Sequence, residues 1–215
     1  ACALRRGTAR MEGVGRRWDG EARPVDVFDA KADAMALLAA LGVPTGGLQI
    51  VPGGPDWYHP GRSATLQFGP KAVIGAFGEL HPRVLKALDV KGPMVACEVT
   101  LDALPAPKAK PTKMKPKLAL SDFQPLTRDF AFVVGRDVAA AEIVRSASAA
   151  DRNLITDVTV FDVYEGPNVG EGKKSVAIAV TLQPTDKTLT DAEIEAVSAK
   201  IIEQVAKKTG ATLRG

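Results

Sequence analysis

The order of periodic segments predicts an α+β protein in two parts, the second an antiparallel four-stranded sheet with two helices on one face. Three observations predict it. A segment rich in proline and lysine, Leu104–Lys117, divides the chain. Beyond it, apolar alternation of period two and apolar spacing of three or four residues take turns in the order β-α-β-β-α-β. Ahead of it, short strand patterns are interleaved with two helical stretches.

The dividing segment holds four prolines and five lysines and no acid. Proline lacks an amide hydrogen and fixes φ, so such a stretch favours extended, polyproline-like conformation. The expected organisation is residues 1–104 as a first domain, 105–120 as a linker and 121–215 as a second domain. Lysines in such a connector are usually just solvated, although they also suit a place near phosphates.

In the second part, Arg128–Val134 alternates, with Phe130, Phe132 and Val134 on one face, and reads as a strand. Ala139–Ala150 is alanine-rich with Ile143 and Val144; Asp137 ahead of it suits an N-cap. Ile155–Tyr164 is rich in β-branched residues and reads as a second strand. Gly166, Pro167, Gly170 and Gly172 make the turn. In Ser175–Leu182, Val176, Ile178, Val180 and Leu182 share one face of a third strand. Thr190 with Glu193 forms a capping box, in which the threonine oxygen takes the amide of N3 and the glutamate reaches back to the cap. Ile194, Val197, Ile201 and Val205 come next at helical spacing, and Gly210 closes the helix. Thr212–Arg214 supplies a short last strand. This order is the split unit of the ferredoxin-like fold.

The first part is less regular. Ala32–Leu41 reads as a helix ending at Gly42, and Pro82–Leu88 as a short helix with proline near its start. Ser63–Phe68, Ala72–Phe77 and Met94–Val99 read as strands of a mixed sheet. The chain opens on Ala1 and a basic run from Arg5 to Arg17, which suggests a fragment of a longer protein.

Composition excludes several classes. Hydrophobic residues are 46% and charged residues 25%, as in an ordinary globular chain, and no apolar run reaches membrane-spanning length. Cys2 and Cys97 have no metal-ligand or redox spacing, and Cys97 in an apolar run reads as a core residue in a reducing, cytoplasmic compartment. A net charge of +3 permits contact with nucleic acid without arguing for it. Gly13-Val14-Gly15 lacks the third glycine and the strand-helix setting of a phosphate loop. His59-Pro60-Gly61 reads as a turn and His81-Pro82 as a helix start; Glu79 and His81 have no third ligand nearby, so no metal is expected.

Phe161-Asp162-Val163-Tyr164-Glu165-Gly166, with Ser175 nine residues on, is the segment that suggests chemistry. One hairpin end carries an acidic acceptor, an aromatic face and a hydroxyl, the groups that hold a single unstacked nucleobase. Asp162 and Tyr164 are two apart on a strand and share a face; Val158 and Val160 fall on that face by simple alternation, with Phe161 and Val163 on the other. An apolar face that turns polar at the strand end suggests a tip leaving the core through a bulge. The bland alternative is a hairpin whose tyrosine packs on the sheet. An RNA-recognition motif would carry aromatics on its third strand, and Lys174–Leu182 has none, so base contact is expected at the hairpin end.

Five segments together resemble the ferredoxin-fold anticodon-binding domain that closes the beta subunit of bacterial phenylalanyl-tRNA synthetase. They are Thr127–Val134, Phe161–Gly166, Glu171–Ser175, Thr188–Thr190 with Glu193, and Leu213-Arg214. Val25–Lys31, His59–Ala64 and Gly75–Pro82 are similar to the end of that subunit's core, a class II synthetase-like mixed α/β fold without the catalytic motifs. The resemblance implies anticodon binding to tRNA(Phe) by Asp162, Tyr164, Ser175 and Arg214, with Tyr164 stacking on the first anticodon base. It implies an alpha-subunit partner in an (αβ)2 assembly, in which aminoacylation with ATP and Mg2+ takes place on the alpha subunit. It also implies no catalytic residue, metal or cofactor in this fragment. The competing classes are a ferredoxin-like small-molecule-binding domain, which needs a ligand cleft at a helix-sheet edge, and an architectural interaction module.

Overall fold

Alternating apolar residues build one antiparallel sheet in each half of the chain, and each sheet is covered by helix on one face. A computed structural model describes residues 1–9, 23–105 and 120–214. The chain divides into Ala1–Lys113 and Met114–Gly215. The glycines at 13 and 15, the arginines at 16 and 17 and most of the connector lie outside the described residues. Among the described residues no helix is long and apolar enough to cross a membrane.

The first unit runs β1 (Cys2–Arg6), α1 (Val27–Ala40), β2 (Gln49–Pro52), β3 (Tyr58–Gln67), β4 (Val73–Leu80), α2 (Pro82–Ala87) and β5 (Met94–Val99). Its sheet has the order β1-β5-β4-β3-β2. Every described pairing is antiparallel, so the parallel pairs of the expected mixed sheet are not found among the described residues. Two strands were not legible. β1 lies in the basic opening segment, where Arg5 turns away from the sheet to hold the Asp33 carboxylate of α1 at 2.6 and 2.5 Å. β2 is an edge strand of four exposed residues, too short to show alternation.

Helix α1 starts five residues earlier than its alanine pattern suggests. Asp26 accepts from the Phe28 and Asp29 amides while Asp29 reaches back to the Asp26 amide, a capping box with aspartate where glutamate is usual. Ala30, Ala34 and Leu38, at four-residue spacing, bury the helix against the sheet. His81 caps α2, its Nδ1 accepting from the Arg83 amide at 3.1 Å, with Pro82 in the first turn as expected. His59-Pro60-Gly61 is not the expected turn: it lies inside β3, where the register with β4 shifts between Tyr58 and Ser63. Proline donates no ladder hydrogen bond, so the strand bulges there instead of reversing.

The second unit runs β6 (Leu126–Gly135), α3 (Ala140–Ser148), β7 (Ile155–Tyr164), β8 (Lys173–Leu182), α4 (Asp191–Thr209) and β9 (Thr212–Leu213). The sheet order is β7-β8-β6-β9, all antiparallel, and both helices pack on one face. This is the expected β-α-β-β-α-β unit. Phe130, Phe132 and Val134 of β6 and Val176, Ile178, Val180 and Leu182 of β8 meet Ile143 of α3 and Val197, Ile201 and Val205 of α4 in one core. Phe130 and Phe132 stack with ring centroids 6.1 Å apart. The Thr190–Glu193 capping box forms, and Gly210 ends α4 at φ 68, a left-handed cap that glycine adopts without strain. Asp137 is not the cap of α3. The chain turns through residues 136–138 first, and Ala139 caps the helix without a side-chain bond.

Candidate nucleic-acid interface

Both helices of the second unit lie on one face of its sheet, and among the described residues of that unit none covers the other face. The register decides which residues stand there, because directly opposed residues of an antiparallel pair share a face. Val158 and Val160 oppose Val180 and Ile178, both fully buried, and therefore face the helices. Simple alternation would send Asp162 and Tyr164 to the same side. The register shifts between Val160 and Asp162, where Phe161 is an extra residue, 58% exposed. One extra residue inverts the parity of everything after it. Asp162 then opposes Ala177 and Tyr164 opposes Ser175, on the open face. The expected bulge is present and the shared face of Asp162 and Tyr164 stands. The expected company of Val158 and Val160 does not, since the bulge separates them.

Following the register across all four strands gives two rows on this open face. One is Tyr164–Ser175–Val133–Thr212. The other is Asp162–Ala177–Ala131–Arg214, closed by the Arg214 amide donating to the Ala131 carbonyl at 2.8 Å. Large polar or aromatic side chains stand on the outer strands, and small ones form the floor between them. Three strand spacings separate the outer strands, roughly 14 Å. Tyr164 and Arg214 lean inward across that floor until the guanidinium carbon is 5.7 Å from the ring centroid, within cation–π range. Ser175, directly opposite Tyr164 in its row, is 4% exposed, whereas Asp162 and Arg214 are exposed and Tyr164 is half-buried. All four expected site residues thus share one face within two adjacent rows.

Charge around the rows is mixed. Asp162 and Arg214 stand at opposite ends of one row. Beyond the end of β7, Glu165 pairs with Arg136 at 2.7 Å, and the exposed Lys173 opens β8 after the turn. Such a face offers an aromatic platform, a carboxylate acceptor, a buried hydroxyl and a guanidinium over a floor of short side chains. Sequence reasoning missed the floor, Ala131 and Ala177. The signal was present: Ala131, Ala177 and Ala179 alternate with the core-facing Phe130, Phe132, Val176, Ile178 and Val180. A separate groove between the helices is lined by Glu142, Arg145, Ser146, Ala149, Gln204 and Lys208. It lies between α3 and α4, not at the helix-sheet edge that the small-molecule alternative requires.

A sheet of this topology with such an open face defines a class, and residues 121–214 match the family model described as ferredoxin-fold anticodon binding domain. Residues 9–101 match a second model, the phenylalanyl tRNA synthetase beta chain CLM domain. Proteins named phenylalanine–tRNA ligase beta subunit are similar over the whole chain: that of Bradyrhizobium diazoefficiens is 59% identical over 214 residues. Those of Mesorhizobium japonicum and Brucella abortus are each 57% identical over 215 residues. The chain belongs to the phenylalanine–tRNA ligase beta-subunit family and spans 27% of the length of these relatives.

Proposed function

We propose that this chain reads the anticodon of tRNA(Phe) on the open face of its second sheet and serves a phenylalanine–tRNA ligase assembly without making bonds itself. The observation that carries the reading is the convergence of Asp162, Tyr164, Ser175 and Arg214 in two adjacent rows over a floor of small residues. Tyr164 offers its ring to the first anticodon base, a stacking contact of roughly 1–3 kcal/mol. The Asp162 carboxylate accepts hydrogen bonds, and guanine presents adjacent N1–H and N2–H donors that match its two oxygens. The Ser175 hydroxyl adds a short-range polar contact from the floor. Arg214, already placed at the ring, stacks on a base or pairs with phosphate as the RNA requires.

The partner in this reading is an alpha subunit, within a cytoplasmic (αβ)2 assembly. ATP and Mg2+ serve the aminoacylation step on that subunit. The first unit acts as a structural partner. The deciding experiment is Tyr164→Ala in the full ligase assembly. KM for tRNA rises while amino-acid activation is unchanged; unaltered tRNA kinetics sink the reading.

A further inference from the structure

Gly166 does not need to be glycine for its backbone. Its φ of −177 and ψ of 178 are extended values that any residue adopts. What a side chain there would meet is Tyr164. A Cβ built on Gly166 collides with the Tyr164 hydroxyl oxygen, lies 2.5 Å from Cζ and 3.1 Å from Cε1, and meets no backbone atom among its nearest contacts. The geometry has a simple origin. Residues two apart on an extended chain share a face, and strand side chains lean along the strand. The Tyr164 ring therefore lies over the position that a side chain of residue 166 would fill. The Arg214 guanidinium stands over the same ring, its carbon 5.7 Å from the centroid.

We infer that Gly166 is a positioning residue: its missing side chain leaves the space that seats the Tyr164 ring beside Arg214, over the Ala131–Ala177 floor. This rests on the anticodon reading and extends it to a residue that touches no RNA itself. The colliding atoms are the far end of one half-buried side chain, so an added methyl is relieved by swinging the ring away. The cost falls on ring placement, not on the fold.

In the full assembly, Gly166→Ala raises KM for tRNA toward the value given by Tyr164→Ala, itself roughly 5- to 150-fold above wild type if one base stack is lost. The kcat and amino-acid activation are unchanged. Gly166→Ala on top of Tyr164→Ala adds nothing, because the ring it displaces is already gone. NMR of the 215-residue chain supplies a readout without RNA. The chain has two tyrosines, and Tyr58 is buried in the first unit, so the Tyr164 ring signals stand apart. Gly166→Ala shifts those ring signals while the core methyls of the second unit and its melting temperature hold. If Gly166→Ala leaves the ring signals and the tRNA KM in place, or if its loss adds to that of Tyr164→Ala, the positioning role is overturned while anticodon reading stands. A drop of more than a few degrees in the melt also overturns it, since that marks a role in the fold. If Tyr164→Ala alone leaves tRNA kinetics unchanged, the anticodon reading falls and takes this role with it.

Discussion

Neighbouring residues 131 and 132 lie on opposite faces of β6, and that separation can be measured. Phe132 is fully buried and stacks on Phe130 at 6.1 Å, with Val176 directly across the ladder. Phe132→Ala removes a benzyl group from the centre of the second core and leaves a cavity, at a cost of about 3–5 kcal/mol. In a unit of about 100 residues each kcal/mol lowers Tm by about 4–8 °C, so the drop is roughly 12–40 °C. Total stabilities of about 5–15 kcal/mol make this roughly a fifth or more of what holds the unit together. Ala131→Leu, one residue earlier, points the other way, onto the open floor, and stays within about 0.5 kcal/mol of wild type, as surface changes do. It adds bulk to the floor beside Arg214, whose amide bonds residue 131, and disturbs the Tyr164–Arg214 contact, so tRNA binding falls by roughly the stacking contribution, about 1–3 kcal/mol. Calorimetry of the chain reads the first effect and tRNA titration of the assembly reads the second. The face assignment is refuted if Ala131→Leu lowers the melt as far as Phe132→Ala, or if Phe132→Ala leaves it within a few degrees.

The geometry leads to three further outcomes. Asp162→Asn replaces a two-oxygen acceptor with one acceptor and one donor, so discrimination at the first anticodon base relaxes by about 1–3 kcal/mol; charging of tRNA substituted at that base measures it, and undiminished selectivity counts against the role. Bonding to Lys187 first, and then to the Thr190 amide and hydroxyl, pushes the Glu193 carboxyl down to about 2 from an ordinary 4.5. A lowered carboxyl pKa gives stability that is complete above 4.5 and is lost as pH falls toward 2, so the difference between wild type and Glu193→Gln in thermal melts narrows over that window; a constant gap contradicts the assignment. Gly78→Ala puts a Cβ 2.6 Å from Ser63 Cβ and 2.7 Å from the Arg62 carbonyl oxygen; backbone cannot yield as a side-chain tip can, and the first unit loses about 1–3 kcal/mol on denaturant unfolding, whereas an unchanged midpoint contradicts the close approach.

Local signals carried the second unit because they agreed with one another. Phe130, Phe132 and Val134 alternate, Ile194, Val197, Ile201 and Val205 recur at helical spacing, and Thr190 with Glu193 marks where the helix begins. Each pattern reports which face must leave water, and that demand is written along the chain. The first unit was less legible for the same reason. β1 and β2 are edge strands that bury little, so neither shows a periodic apolar face, and Asp26 with Asp29 caps α1 using a residue the usual motif does not include.

The chemistry of the site was visible in Asp162-Val163-Tyr164, because residue types two apart on a strand share a face wherever that face points. Which face it was, the local pattern misreported. Alternation alone joined Asp162 and Tyr164 to Val158 and Val160, on the side that packs against the helices. Only the pairing of β7 with β8 shows that Phe161 stands outside the ladder and inverts the parity of the residues after it, bringing Asp162 and Tyr164 over Ala177 and Ser175. The meeting of Tyr164 with Arg214 is likewise a tertiary fact, since the two lie fifty residues apart on opposite edges of the sheet. Sequence by itself determined the elements of the second unit, their order and the residue types at the candidate site, because burial imposes a period on each segment separately. Register and bulge belong to pairs of strands, and so only the folded sheet decided where those groups meet.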